Sequence, residues 1–466
     1  MAVHVSTLFE KLGQTNAKGL GVPQMGMVIM PHPLEGRNFE ETRQQAEDAI
    51  DSIISSLTLD ADELEAEAAG AEVIKIVGND YADAYEKFNK LYLEKRWGDG
   101  LPLVPPTKEK VDWMLTGTDR DPGEVIVETH PSGRPATVRQ IAINAVMAGA
   151  IPAYMPVIIA ALQAFDKIPW GWGGVSTTSA CAPMIIVNGP IAKQLDINGK
   201  TNSLGYGWRA NGGIGRTLEM IFHCVGGAIP GLSDMSTMGN SHTYTSMVCS
   251  ENQDVLDDIG WPNYAEELGY DKNANTVHAA IVMCGYNILF PYGLMDNPEA
   301  LIDDMVRSAN PVNQMGYPAG PNKELASVLS TWLLTPENAK VFAKSGWKKS
   351  DVRNLWAARA SLKNSLPYKE FVKVTGLVKQ SMLSESSPAW MKALPDDHPM
   401  SVISPDPRHT HIFVTGGAGL EGQYYSAFMS ESYSSIVTRE IDLPSDWDDV
   451  VEKADIKPTP MPKLPW

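Results

Sequence analysis

The chain has 466 residues, 43% of them hydrophobic and 20% charged, a balance that can bury a large core across two or three domains. A formal net charge of −18 argues against nucleic acid and anionic membrane surfaces as partners, because both demand basic patches. Cys181, Cys224, Cys249 and Cys284 show neither CxxC nor zinc spacing, which excludes a disulfide framework and points to a reducing, cytoplasmic compartment.

The opening, MAVHVSTLFEKLGQ, has no basic region followed by an apolar run, so no signal peptide is expected. Met25 to Met30 is a short apolar run. Asn38 and Glu41 form a capping-box pattern before a helix whose apolar face is Ala46, Ala49, Ile50, Ile53, Ile54 and Leu57. Asp60 to Glu67 reads as a solvated linker or helix, and Val73 to Val77 as a short strand. Tyr81, Tyr85, Phe88 and Leu91 then keep helical register. Residues 1–100 therefore read as a helical N-terminal arm.

WGDGLPLVPPT, from Trp97 to Thr107, reads as an ordered loop, with Thr107 capping a helix to Leu115. A strand at Val125 to Val127 follows. Thr137 and Gln140 form a second capping box, opening a helix that ends at Gly149, and another helix starts near Pro156. Gly149, Pro152 and Pro156 break the apolar stretch Ala142 to Phe165, which makes it two core helices rather than a membrane span. Met184 to Val187 is a buried strand, and Gly215 is expected to open a helix through Val225 that Gly226 and Gly227 stop. Further on come a strand at His278 to Met283, a helix at Pro298 to Ser308 and a strand at Leu325 to Leu334. That last strand leads into a helix start at Thr335-Pro336-Glu337, then come a helix at Asp351 to Leu362 and a strand at His411 to Thr415. No repeat of fixed period is visible. The alternation implies an α/β fold, a largely parallel sheet or sheets covered by helices, over residues 101–450, with room for two subdomains; residues 451–466 read as an extended tail.

Unusual residues crowd between Trp170 and Glu251. Trp208-Arg209-Ala210-Asn211-Gly212-Gly213-Ile214-Gly215-Arg216 reads as a glycine-rich loop opening a helix, whose amides and Arg209 and Arg216 would hold a carboxylate or phosphate. The spacing is neither Walker nor Rossmann, so no nucleotide is implied and no cofactor is indicated. Thr177 and Thr178, in a Ser/Thr run before Cys181, would hold a polar substrate, with Cys181 the thiol nucleophile if its pKa is lowered; the bland alternative is a self-satisfied loop and a core thiol. His242 is the candidate general acid or base, with Glu251 or Asp234 to orient it or, in Glu251's case, to act as the acid. Trp170, Trp172 and Trp208 would suit an aromatic-lined pocket. His409 and His411 share one strand face and are the weak candidates for half a metal site, with no acidic or thiol ligands nearby in sequence.

WGDGLPLVPPT, ATVRQIAINAVMAGAIPAYMPVIIAALQAF, APMIIVNGPIA, GWRANGGIGRTL and IFVTGGAGLEG together resemble the family of UGSC-domain proteins, from about Gly19 to Glu440. Family members often carry an upstream Cys/Sec-Gly-Ser-Cys segment, a thiol or selenol centre, which this sequence lacks; its opening, GLGVPQMGMVIMPHPLEGRNFEETRQQAEDAIDSII, is similar to the tail of that domain. The resemblance implies a separate small subunit bearing the Cys-Gly-Ser-Cys segment, docked on residues 1–100 of a hetero-oligomer.

The expectation is a large subunit of a soluble lyase or reductase-type enzyme that binds a small anionic organic substrate. It would cleave or exchange a carbon–heteroatom bond with a thiol from this chain or its partner. The rivals are a metal-dependent hydrolase or lyase built on the histidines, and a non-catalytic scaffolding subunit.

Overall fold

The computed structural model describes residues 2–19, 25–32, 39–57, 74–168, 171–179, 181–309, 328–363, 365–370, 395–401, 403–404, 406–428 and 436–460. The capping position Asn38, the acidic stretch Asp60 to Glu67, Trp170 and the first residues of the expected strand at Leu325 lie outside the described residues.

In chain order, β1 (Ala2–Ser6), α1 (Glu10–Gly19), β2 (Gly26–Met30) and α2 (Phe39–Leu57) come first. β1 and β2 pair in parallel, with α1 and α2 against them, so the N-terminal arm holds a small sheet and is not purely helical. Residues 74–77, expected as a strand, take no regular structure. Next come α3 (Tyr81–Lys95), α4 (Lys108–Leu115), β3 (Val125–Glu128), β4 (Pro135–Thr137), α5 (Val138–Ala148), α6 (Met155–Asp166) and α7 (Gly171–Gly174). Thr107 caps α4, and the Thr137/Gln140 box caps α5, which ends on Gly149 in the left-handed conformation.

The central elements are β5 (Ala182–Asn188), α8 (Pro190–Gln194), α9 (Arg209–Met220), β6 (Met247–Ser250), α10 (Gln253–Ile259), α11 (Tyr264–Glu267), β7 (Thr276–Val282) and β8 (Cys284–Leu289). The remainder comprises α12 (Pro298–Ser308), β9 (Val328–Leu334), α13 (Pro336–Lys344), α14 (Lys349–Lys363), β10 (Ser365–Pro367), β11 (Pro399–Ser401), β12 (Thr410–Val414), β13 (Glu421–Phe428), β14 (Ile436–Glu440) and α15 (Trp447–Ala454).

Two four-stranded sheets, ordered β14-β7-β5-β6 and β12-β9-β13-β8, pack face to face. Their facing residues include Met184, Ile186, Cys249, Ala280 and Val282 from one sheet and Leu333, Phe413 and Tyr425 from the other. Side chains alternate along a strand, so the neighbours of these residues cover the outer faces. Ile185, Val187 and Ala279 pack with α5, α6 and α9; Trp332, Leu334 and Ile412 pack with α12, α13 and α14. The result is four layers, helix–sheet–sheet–helix. Each fully buried Ile or Phe contributes roughly 1.5–3 kcal/mol.

The sheets are mixed, not largely parallel. Within them only β5–β6 and β9–β12 are parallel, while β5–β7, β7–β14, β9–β13 and β8–β13 are antiparallel. Strand–helix alternation in sequence suggested parallel crossovers, but it does not report which strands become neighbours. The pairings also reveal a repeat that the sequence hides. In one sheet the central β5 is flanked by parallel β6 and antiparallel β7; in the other, β9 is flanked by parallel β12 and antiparallel β13. Ile186 pairs with Cys249 and His278, as Leu333 pairs with Phe413 and Gln423. Each half then gives its last strand away. β8 follows β7 but pairs with β13, and β14 follows β13 but pairs with β7.

α9 also departs from expectation. The helix begins at Arg209, so Gly212, Gly213 and Gly215 lie inside it rather than in a loop before it. A Cβ on Gly215 would stand 1.5 Å from the Thr245 carbonyl oxygen, so this glycine serves close packing. A π-helical turn, Ile221–Val225, extends the helix to Gly226.

The two halves meet at Glu251, 5% exposed, just after β6. Its Oε1 accepts hydrogen bonds from Lys349 Nζ and the Val414 amide, both at 3.2 Å. Its Oε2 accepts from Asn188 Nδ2 at 2.9 Å and the Tyr264 amide at 2.6 Å. Lys349 is 1% exposed and also lies 3.6 Å from Glu267, which Arg353 pairs. Removing one member of such a pair strands a buried charge. Lys349→Met should lower unfolding stability by about 3–5 kcal/mol, read from urea denaturation, whereas Lys344→Met, on the neighbouring helix, should change it by no more than about 0.5 kcal/mol.

Candidate active-site cleft

A cleft of about 1100 Å³ lies between α3, the Gly98–Leu103 loop, α9 and the segments on either side. Cys181, Glu219, His223 and Asp234 line it, with Lys90 and Arg96 from the α3 side. Cys181 stands immediately before β5 and is 3% exposed; its amide donates to the Ser179 carbonyl at 2.9 Å. The Ser/Thr run leading to it is strapped to residues 234–237. The Thr237 amide donates to Thr178 O at 3.1 Å, and Ser236 Oγ reaches Ser179 O at 3.2 Å and Asp234 Oδ1 at 2.7 Å. Thr177 Oγ1 accepts from the Ser179 amide at 3.3 Å. Thr177 and Thr178 thus build the wall that holds Cys181 and do not themselves line the cleft.

Glu219 is the residue that sequence reading missed. One turn beyond Gly215, it is carried to the cleft because that glycine lets α9 close on Thr245. Ser246 Oγ donates to Glu219 Oε1 at 2.9 Å, and Ser246 holds a left-handed φ of +47°, a strained conformation for a residue with a side chain. Burial pushes the Glu219 carboxyl well above its ordinary range; the Ser246 bond opposes this and the nearby Asp234 charge adds to it. Glu219 therefore holds its proton to higher pH than an exposed carboxyl does, and it lines the same cleft as Cys181. In sequence it is one glutamate in an amphipathic helix, with nothing to separate it from a solvated one.

The other expected site residues are placed as follows. Arg216 forms a two-bond ion pair with Asp99, Nε to Oδ2 at 2.6 Å and Nη2 to Oδ1 at 3.0 Å, and also donates to Pro102 O at 3.0 Å. It fastens the WGDGLP loop to α9. Arg209 is exposed, donates to Gly149 O at 3.2 Å and lines neither cavity described here. Trp208 is the residue before α9 and is half-buried. Asn211 is buried; its Oδ1 accepts from the Asn198 amide at 2.8 Å and its Nδ2 donates to Val248 O at 2.7 Å. These bonds fix β6 to α9 and leave little capacity for a ligand. Because glycines 212, 213 and 215 are helical, their amides form no anion cradle.

His242 lines a second cavity, of about 510 Å³, and burial pushes its pKa down. Glu251 has all its bonds within the junction of the halves and lines neither cavity, so the structure does not bring His242, Glu251 and Cys181 together. His409 and His411 are both buried. Nδ1 of His409 lies 2.7 Å from Ser404 Oγ, and Nδ1 of His411 lies 2.7 Å from Tyr264 Oη. Among the described residues, no group of three or more His, Cys, Asp or Glu could hold a metal ion. Burial pushes the thiols of Cys224 and Cys249 up to about 12, so they are poor nucleophiles. No helix among the described residues is long and apolar enough to cross a membrane.

The model of the UGSC family matches residues 1–59, the segment that holds β1, α1, β2 and α2. A search of curated proteins finds no match.

Two pH effects follow. Glu219 binds its proton more tightly folded than unfolded, so its contribution to stability falls as pH rises from the ordinary carboxyl value of 4.5. Glu219→Gln should therefore gain on the wild type with rising pH, by up to about 1.4 kcal/mol per pH unit, and should remove from the infrared spectrum a protonated-carboxyl band that persists above pH 4.5 in the wild type. His278 and His411, pushed down to about 3 chiefly by burial, act in the opposite sense. Their unfolded forms bind protons first below 6.5, so stability is lost as pH falls from there towards 3. Replacing either with Gln should flatten that acid limb in urea titrations.

Proposed function

We propose that this chain, whose first residues match the UGSC family, is the large subunit of an enzyme. In this reading it binds a small anionic organic substrate in the larger cleft and cleaves or exchanges one carbon–heteroatom bond. The observation that carries the reading is the presence of a carboxyl that burial raises, Glu219, and a thiol, Cys181, on the wall of one cleft of about 1100 Å³. Lys90 and Arg96, not Arg209 and Arg216, supply the positive charge there. Arg96 is positioned by a 2.7 Å bond from Nη2 to Pro230 O.

The chemistry divides among these groups. Asp234, its Oδ1 held by the Ser236 amide at 3.0 Å, takes the thiol proton. The thiolate attacks the substrate carbon, a carbon–sulfur bond forms, and the carbon–heteroatom bond breaks. Glu219 donates its proton to the departing heteroatom. A second nucleophile, water or a partner thiol, then displaces the Cys181 sulfur from that carbon, its proton passing to the Glu219 carboxylate while Asp234 returns its own to the departing thiolate.

Iodoacetate tests this directly, because it is a small carboxylate whose carbon–iodine bond a thiolate displaces. Peptide mass spectrometry should find Cys181 alkylated roughly tenfold faster than Cys224 or Cys249. Lys90→Ala should slow iodoacetate while leaving neutral iodoacetamide unchanged. Equal rates at the three thiols would remove the nucleophile from this chain. A rate that ignores Lys90 would remove the anion preference.

A further inference from the structure

One cation of the larger cleft stands where the backbone favours glycine. Arg96 ends α3 at φ +56° and ψ +42°, a left-handed cap that glycine takes without strain. The arginine is held there from two sides: Nη2 donates to Pro230 O at 2.7 Å, and His223 Nε2 lies 2.8 Å from Arg96 O. Apolar side chains surround it on the cleft wall. Tyr92 and Leu93 stand one turn earlier on α3, their carbonyls accepting from the Trp97 and Arg96 amides at 2.9 and 3.2 Å. The Tyr92 ring is fixed against Phe88 at 4.2 Å and Trp97 at 5.4 Å. Across from α3, Phe222 precedes His223 on the lining, and Leu101 comes from the loop that Arg216 fastens. Leu93 is 65% exposed and Leu101 43%, large apolar side chains left open on a concave surface. Of the acids on the lining, Asp99 is paired by Arg216, and Glu86 lies roughly three turns from Arg96 along α3.

We infer that the substrate of this cleft is a carboxylate carrying an aromatic ring, an assignment that rests on the proposed function and names its substrate class. The carboxylate pairs with Arg96, and the ring lies along Tyr92, Leu93 and Leu101. An ion pair on an exposed arginine contributes little to binding and is screened by salt, so a two-carbon acid would be held weakly. Apolar area supplies what the charge does not, in proportion to the surface taken out of water. A fixed tyrosine ring adds a directional contact that suits an aromatic partner. The size agrees: about 1100 Å³ is at the top of the range of roughly 300–1,000 Å³ that holds drug-sized ligands, far more than a two-carbon acid fills. Glu219, four residues before His223 on the same wall, ties the proton donor to the Arg96 end.

Titration calorimetry on the full chain tests this, with 3-phenylpropanoate and propanoate as probes. 3-Phenylpropanoate should bind at least about tenfold tighter than propanoate, with the negative heat-capacity change of apolar burial. Neutral 3-phenylpropan-1-ol should bind roughly threefold weaker than the acid. Arg96→Gly, which keeps the left-handed cap, should bring the acid down to the affinity of the alcohol. Leu93→Ser combined with Leu101→Ser, both at exposed positions, should remove most of the advantage of the ring and leave propanoate unchanged. Equal affinity for the two acids, or a ring advantage that survives the double substitution, overturns the inference. An alcohol bound as tightly as the acid, or no effect of Arg96→Gly, overturns the carboxylate pairing. Bound 3-phenylpropanoate should also slow iodoacetate at Cys181 saturably, and alkylation without that protection overturns the placement. Calorimetry does not depend on the thiol. An inert Cys181 with the ring preference intact therefore sinks the proposed chemistry alone, and a reactive Cys181 without the preference sinks the substrate class alone.

Discussion

A single buried carboxylate holds the two halves of this protein together. Glu251 follows β6 in one sheet, yet its acceptors are filled from β5, from the start of α11, from α14 and from β12 in the other sheet. A carboxylate in such a place is costly unless its lone pairs are met and a countercharge is near. Here four donors satisfy it and Lys349 supplies the charge. Around it the ends of the parallel pairs interlock: the Asn252 amide donates to Val414 O at 2.8 Å and Thr415 Oγ1 to Ser250 O at 2.9 Å. Each sheet is therefore positioned by bonds that the other completes.

The exchange of β8 and β14 has the same consequence at the sheet edges. Each half hands one edge strand to its neighbour, so neither sheet is complete without the other half. A hydrophobic interface alone would tolerate sliding, because apolar contact is non-directional. The exchanged strands and the Glu251 bonds fix the register, and with it the position of the loops that carry chemistry. The cleft depends on this chain of supports. Asn211 fixes α9 to β6, Gly215 lets α9 close on Thr245, and Arg216 fastens the Asp99 loop that forms the opposite wall. Several residues that look like ligand contacts in sequence are thus the scaffold of the site.

Local chemistry was legible because it needs only neighbours in sequence. The caps at Thr107 and Thr137, the left-handed Gly149, the proline-led helices at Pro298 and Pro336 and the buried run of β5 all depend on residues a few positions apart. Cys181, Glu219, Asp234 and His242 all fall between Trp170 and Glu251, the stretch whose residue mixture stands out in the sequence. The division of that segment was not legible. His242 turns away from Cys181 into another cavity, and Glu251 turns into the core.

The sequence by itself determined the capped and proline-led elements and the stretch in which unusual polar residues gather, because periodicity, capping and turn chemistry act over a few residues. Only the tertiary structure decided that the sheets are mixed and share strands. It alone decided that Gly215 of α9 serves close packing, that Arg216 pairs with Asp99, and that burial raises the Glu219 carboxyl. Strand partnership, burial and ion pairing join residues far apart along the chain, from Asp99 to Arg216 and from Glu251 to Lys349 and Val414. The free energy of each group is set by what surrounds it in space, and spacing along a single sequence carries no record of that.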